Sequence, residues 1–135
     1  MKRFFAVLAL SILMVSLFTA AAPVPNTTFT LVQGLPSSMN VGETYTVIVQ
    51  VDSDQQFLSA QALPSFQFPG KGVVAVQGGD RTVGDTSATL AITFKAKSPT
   101  ARMPGGSAPV HVVVGVRYPG GYVAVQDYLF NVTVP

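Results

Sequence analysis

The sequence predicts an all-β fold downstream of Pro23, and three observations support this. Apolar and polar residues alternate along most of the chain, which is the pattern of half-buried strands. Clusters of Gly, Pro, Asn and Asp interrupt these runs at fairly regular spacing. No stretch after Pro23 has apolar residues at helical spacing. The chain has 135 residues, of which 48% are hydrophobic and 10% are charged, so it is long enough for one domain with a sizeable core.

Three strands are predicted with a clear inner face. Apolar side chains fall on odd positions at Tyr45, Val47, Val49 and Val51, and on even positions from Ala88 to Ala96. Valines occupy the even positions 110, 112, 114 and 116. Because successive side chains of a strand point to opposite faces, each set predicts one buried face.

The remaining strands are less regular. Residues 28–33 form a short strand, and residues 57–68 form two short strands or an edge strand with a break, because Pro64 cannot donate to a ladder. A strong turn is predicted at 69–72, a short strand at 73–77 and a turn at Gly78-Gly79-Asp80. The loop at 98–109, rich in Pro and Gly, is expected to be mobile.

The last strand, at 122–134, has an ambiguous register. Val123 and Val125 favour one face, whereas Tyr128 and Phe130 favour the other. A bulge near Gln126-Asp127 would reconcile them, because one extra residue changes the face that points inward.

About seven such strands predict an immunoglobulin-like β-sandwich. Two facing sheets bury this many inward valines and phenylalanines economically, and a closed barrel is the alternative. The sequence contains no Cys and no Trp, so the sandwich is predicted to be disulfide-free and held by packing alone.

The N-terminus has the plan of a secretory signal: Lys2 and Arg3, an uncharged apolar run, and small residues before Pro23. We predict a signal peptide at 1–21 with a helical apolar run, cleaved after Ala21, or as a second choice after Ala22, and an immunoglobulin-like domain at 22–135. Retention as a membrane anchor is the alternative. The predicted location is secreted, on the cell surface or in the periplasm.

Cleavage would remove two of the eight basic residues and leave six against six acidic residues. The mature chain would then be neutral, which argues against nucleic-acid binding and is compatible with self-association. The membrane is a partner only if the signal segment is retained.

Residues 35–47, LPSSMNVGETYTV, resemble the second-strand entry of prokaryotic extracellular immunoglobulin-like modules. These include the CARDB type (cell-adhesion-related domain) and the fibronectin-III-like modules appended to secreted enzymes. The resemblance implies a non-catalytic surface or adhesion role and carries over no site residues.

No catalytic, metal or cofactor site is predicted. His111 is the single histidine, it should point away from its strand's core face, and no nucleophile motif accompanies it. Asp52 and Asp54 are interpreted as turn residues rather than as calcium ligands.

Two kinds of candidate surface site remain, an aromatic pair and glycosylation acceptors. Tyr118 and Tyr122 flank the turn at 119–121 and would form an aromatic platform for a carbohydrate, or else a cross-strand pair that stabilises the hairpin. Asn26 and Asn131 begin glycosylation acceptor sequences, which matter only in a host with that pathway. The predicted function is a non-catalytic module acting by protein–protein contact, with a partner protein or a second copy, within a surface assembly. Carbohydrate binding is the alternative.

Overall fold

The computed structural model of the chain describes residues 23–66 and 73–135. Within these residues there are seven strands and one short turn of 3-10 helix, Pro104–Gly106. The strands are β1 (Thr27–Gln33), β2 (Thr44–Ser53), β3 (Ser59–Phe66), β4 (Val74–Val83), β5 (Ser87–Ala96), β6 (Ala108–Arg117) and β7 (Val123–Val132). The predicted signal peptide at 1–21 and the predicted turn at 69–72 lie outside the described residues.

The strands form two antiparallel sheets, in the orders β1-β2-β5-β4 and β3-β6-β7. This is the strand order of a seven-stranded, constant-type immunoglobulin domain. The predicted immunoglobulin-like β-sandwich is therefore confirmed. The closed barrel is wrong, since no ladder joins the two sheets in the part of the chain that the structure describes.

The core lies between the sheets and follows the predicted alternation. The central odd positions of β2, from Val47 to Val51, and the even positions of β5 and β6 are buried, whereas their neighbours are at least partly exposed. The inward residues are Val47, Val49 and Val51 on β2, Leu90, Ile92 and Phe94 on β5, and Val110, Val112, Val114 and Val116 on β6.

β3 continues through Pro64, which lies opposite Val112 on β6. The break predicted at Pro64 is therefore wrong, although β3 is an edge strand as one alternative required. Proline is tolerated there because an edge strand needs donors on one side only.

β4 also continues where a turn was expected. The chain remains extended through Gly78, Gly79 and Asp80, each of which pairs with β5 after an irregularity in register between Val76 and Gly78. The prediction of a turn is wrong because pairing with β5 outweighs the weak strand preference of glycine.

β7 pairs with β6 in continuous register, so the bulge predicted near Gln126-Asp127 is wrong. The conflict between the odd and even apolar positions of β7 has a simpler solution. Tyr128 and Phe130 turn toward the core, and Val123 and Val125 remain exposed to solvent.

The loop between β5 and β6, expected to be mobile, is anchored at Thr100. The Thr100 amide donates to the Val134 carbonyl, and the Val134 amide donates to Thr100 Oγ1, both at 2.9 Å. Thr100 Oγ1 also donates to the Gly106 carbonyl at 2.8 Å. Thr100 follows a strand of the four-stranded sheet and Val134 follows a strand of the other, so these bonds connect the sheets at one end.

Candidate functional site

The predicted aromatic pair lies at the end of the sandwich where β6 turns into β7. The rings of Tyr118 and Tyr122 are 5.8 Å apart between centroids and tilted by 54°. Tyr118 is only 2% exposed, and its ring also meets Phe57 edge-on at 6.2 Å. Burial of Tyr118 does not suit the exposed platform that was one alternative, whereas the contact between the two rings fits the other, a pair that stabilises the hairpin. Tyr122, at 43% exposed, is the ring of this pair that reaches solvent.

His111 lies on the outer face of the three-stranded sheet, turned away from the core as predicted. Its Nδ1 is 3.1 Å from Asp127 Oδ2, and Ser65 is opposite His111 on β3. The residue types of a serine hydrolase triad are therefore neighbours. However, no hydrogen bond joins Ser65 to His111 in the described chain, and neither hollow described below includes His111.

The same outer face carries several exposed apolar side chains. We call it the apolar face, and it consists of Leu63, Val113, Val123, Val125 and Leu129. Four of these residues are about half exposed, namely Leu63, Val123, Val125 and Leu129. Leu63 is opposite Val113 on β6, and Leu129 is opposite His111, so the set spans all three strands.

The outer face of the four-stranded sheet is chemically different. Thr46 and Thr93 share a hydrogen bond at 2.8 Å between their hydroxyls. Thr89 Oγ1 donates to Gln50 Oε1 at 2.6 Å. Between these two pairs, Ile48 lies opposite Ala91, and both are only partly exposed. This face is therefore mostly polar and bonds to itself, whereas the apolar face leaves hydrocarbon in water, which costs about 25 cal/mol per Å².

A cleft separates β3 from β4, the facing edges of the two sheets. It has a volume of about 350 Å³ and is lined by Gln61, Ala62, Leu63, Gly79, Asp80, Arg81, Leu90, Ala91 and Ile92. A second hollow of about 290 Å³ continues it and is lined by Leu58, Ser59, Ala60, Arg81 and Val83. Arg81 borders both hollows.

Of the two aspartates interpreted as turn residues, Asp52 lies within β2, opposite Thr28 and Ser87, and Asp54 follows the strand. Asp54 Oδ1 accepts a hydrogen bond from the Asn26 amide at 2.8 Å. No group of three or more His, Cys, Asp or Glu residues suited to a metal ion occurs in the described ranges. Nor do those ranges contain a helix long and apolar enough to cross a membrane.

Both predicted glycosylation acceptors are exposed. Asn26 precedes β1, and Asn131 is on β7 opposite Pro109, pointing outward as expected. Their modification remains a prediction.

Two features of this surface were missed by the sequence reasoning. The apolar face could have been inferred from Val123 and Val125, which are apolar at odd positions whereas Tyr128 and Phe130 are at even positions. The small residues Ala62 and Gly79 were the available signal for the cleft, but their position across from each other depends on the pairing of distant strands.

No family model matches the chain, and no curated protein matches it. Among solved structures, the chain is similar to that of murine CRIg, with 13% identity and a TM-score of 0.37 over 84% of this chain and 99% of that chain. At these values the similarity adds nothing to the fold assignment, which rests on the strand order.

Proposed function

We propose that this protein is an exported, non-catalytic immunoglobulin-like module that acts by protein contact through the apolar face, with a second copy of the chain as its partner. The observation that carries the proposal is the difference between the two outer faces. One is a polar, internally bonded surface, and the other exposes Leu63, Val125 and Leu129. Exposed apolar patches of soluble proteins mark interaction sites.

Charge supports a homotypic contact. With the signal removed, basic and acidic residues balance at six each, so two copies approach without net repulsion. On the apolar face, the carboxylate of Asp127 lies 3.1 Å from His111 Nδ1, so it has a hydrogen-bond partner on its own sheet.

The sequence supports the export and the surface role in this proposal. The signal plan of residues 1–21 supports secretion, and the likeness of residues 35–47 to CARDB-type and fibronectin-III-like modules supports an adhesion or assembly role. The incomplete arrangement of Ser65, His111 and Asp127 supports the absence of acyl-transfer chemistry.

The proposal is tested by sedimentation of the mature protein over a concentration series. Wild type should associate as concentration rises, and Leu129→Lys should remain monomeric because it places a charge within the contact. Thr89→Lys places the same charge on the polar face and should associate like wild type. A wild-type protein that stays monomeric throughout, or a Leu129→Lys variant that associates unchanged, would contradict the proposal.

Carbohydrate binding at Tyr122 is the second candidate, favoured by that ring's exposure beside Tyr118. A glycan array followed by titration of Tyr122→Ala tests it. Affinity should fall at least about tenfold if stacking on Tyr122 contributes more than about 1.4 kcal/mol. An unchanged affinity would eliminate this site.

A further inference from the structure

The cleft between β3 and β4 exists because both strands place small residues where a sandwich usually places large ones. On β3, the inward positions opposite Val116 and Val114 are Ala60 and Ala62. On β4, the position opposite Ile92 is Gly79. Neither strand therefore fills the space above the apolar floor of Leu90 and Ile92, and the two sheets remain apart along this side.

The walls of the cleft are unpaired strand edges. β3 pairs only with β6, and β4 pairs only with β5, so within the described residues each has one side free of ladder partners. Such an edge is a template for an added strand. Glycine within a strand permits close approach of another backbone, and Gly79 lines the cleft.

The dimensions suit a short extended segment. The two hollows follow β3 from Leu58 to Leu63, and at roughly 3.3 Å per residue this distance is about 17 Å. The groove therefore accommodates about five or six residues of extended backbone. Leu58 and Val83 are exposed at one end and offer apolar contacts to alternate side chains.

Arg81 supplies the charge at the centre of this groove. It borders both hollows, and no carboxylate of the described chain lies within 4.0 Å of its guanidinium. Asp80 also lines the larger hollow, and its Oδ1 accepts a hydrogen bond from the Arg81 amide at 2.8 Å. The Arg81 side chain is thus a free cation beside an apolar floor, and a carboxylate would pair with it in a charge-assisted hydrogen bond.

We propose that the groove between β3 and β4 binds an extended segment of a partner polypeptide, by strand addition to an open edge, with an acidic side chain of that segment on Arg81. This site is separate from the homotypic contact proposed for the apolar face, although Leu63 borders both. Variants of Leu63 are therefore left out of the test.

The test is selection of random peptides displayed on phage against the immobilised mature protein, followed by titration of the selected peptides. The selected sequences should alternate apolar residues and contain an Asp or Glu. Arg81→Gln should weaken their binding about tenfold or more, the range that follows from losing a hydrogen bond to a charged group. Arg102→Gln, an exposed arginine in the loop after β5, is the matched control and should bind like wild type.

Ala62→Leu gives an independent test, because it places a larger side chain in the larger hollow rather than removing a charge. It should abolish peptide binding while retaining the wild-type circular dichroism spectrum and a thermal midpoint no lower than that of wild type. Ser65→Leu adds the same side chain on the opposite face of β3 and should leave binding intact.

Three outcomes would overturn the proposal: no enrichment of acidic peptides, equal affinity of Arg81→Gln and wild type, or full binding by folded Ala62→Leu. Peptides that lose affinity for Leu129→Lys but not for Arg81→Gln would place the contact on the apolar face instead. Sedimentation of Leu129→Lys separately decides the homotypic contact, so failure of either proposal is recognised without the other.

Discussion

The hydroxyl of Tyr118 donates a hydrogen bond to Ser53 Oγ at 2.7 Å, joining residues 65 positions apart in sequence. Tyr118 follows β6 of the three-stranded sheet, and Ser53 ends β2 of the other. Thr27 Oγ1, at the start of β1, lies 2.6 Å from the same hydroxyl. Tyr118 therefore connects the sheets at the end opposite Thr100, in a domain that has no cysteine.

The Tyr118 connection predicts a measurable loss of stability. Tyr118→Phe keeps the buried ring and removes the hydroxyl, so the free energy of unfolding should fall by about 1–2 kcal/mol. Urea unfolding measures this change. Tyr122→Phe removes a hydroxyl from an exposed ring and should change stability by less than about 0.5 kcal/mol. Equal effects of the two variants would show that the cross-sheet bonds contribute nothing.

The assignment of inner and outer faces is tested by one substitution at two leucines. Leu90 is 2% exposed on β5, and Leu129 is 53% exposed on β7. Leu90→Ala should lower the free energy of unfolding by about 2–5 kcal/mol, because it leaves a cavity in the core. Leu129→Ala should cost less than about 1 kcal/mol, when both are measured by urea unfolding at a concentration where the protein is monomeric. A larger effect at Leu129 would reverse the two faces.

The Ser65, His111 and Asp127 cluster is expected to perform no acyl transfer. The structure provides no bond from Ser65 to the imidazole, and a nucleophile is weak without an adjacent base in hydrogen-bond reach. Hydrolysis of p-nitrophenyl acetate should proceed equally with wild type and with His111→Ala. A rate that falls in both His111→Ala and Ser65→Ala would restore an enzymatic function.

Stability at alkaline pH should depend on Tyr128. Partial burial raises the pKa of Tyr128 above its ordinary value of 10.0, because the phenolate loses hydration in the folded state. The stabilising contribution is present below that ordinary value and is lost as pH rises through the higher pKa of the folded state. The stability of wild type relative to Tyr128→Phe should therefore fall with pH above about 10, in urea unfolding at a series of pH values. A difference that rises with pH would contradict this sign.

The regular strands were predictable because local alternation and tertiary burial agree in them. At β5, the apolar residues from Ala88 to Ala96 occupy one parity, and this is the face that the sandwich buries. Errors arose where distant pairing overrides local preference. Gly78 and Gly79 favour a turn in isolation, but β5 holds them in an extended ladder.

The surface features were harder to predict for a related reason. The burial of Tyr118 depends on residues far away in sequence, because its hydroxyl donates to Ser53 Oγ and accepts from Thr27 Oγ1. Val123 and Val125 break the pattern of a half-buried strand. The sequence alone does not show whether such an apolar residue lies on the inner or the outer face of its sheet. A bulge and an exposed contact surface are alternative solutions of that pattern, and the continuous register of β7 selects the second.

The apolar face as a contact surface is tested most directly by amide NMR spectra of the mature protein in a dilution series. Concentration-dependent shifts should cluster on the three-stranded sheet, around Val113, Val125 and Leu129. Spectra that do not change with concentration, or shifts that cluster around Thr46 and Thr93 on the polar face, would contradict it.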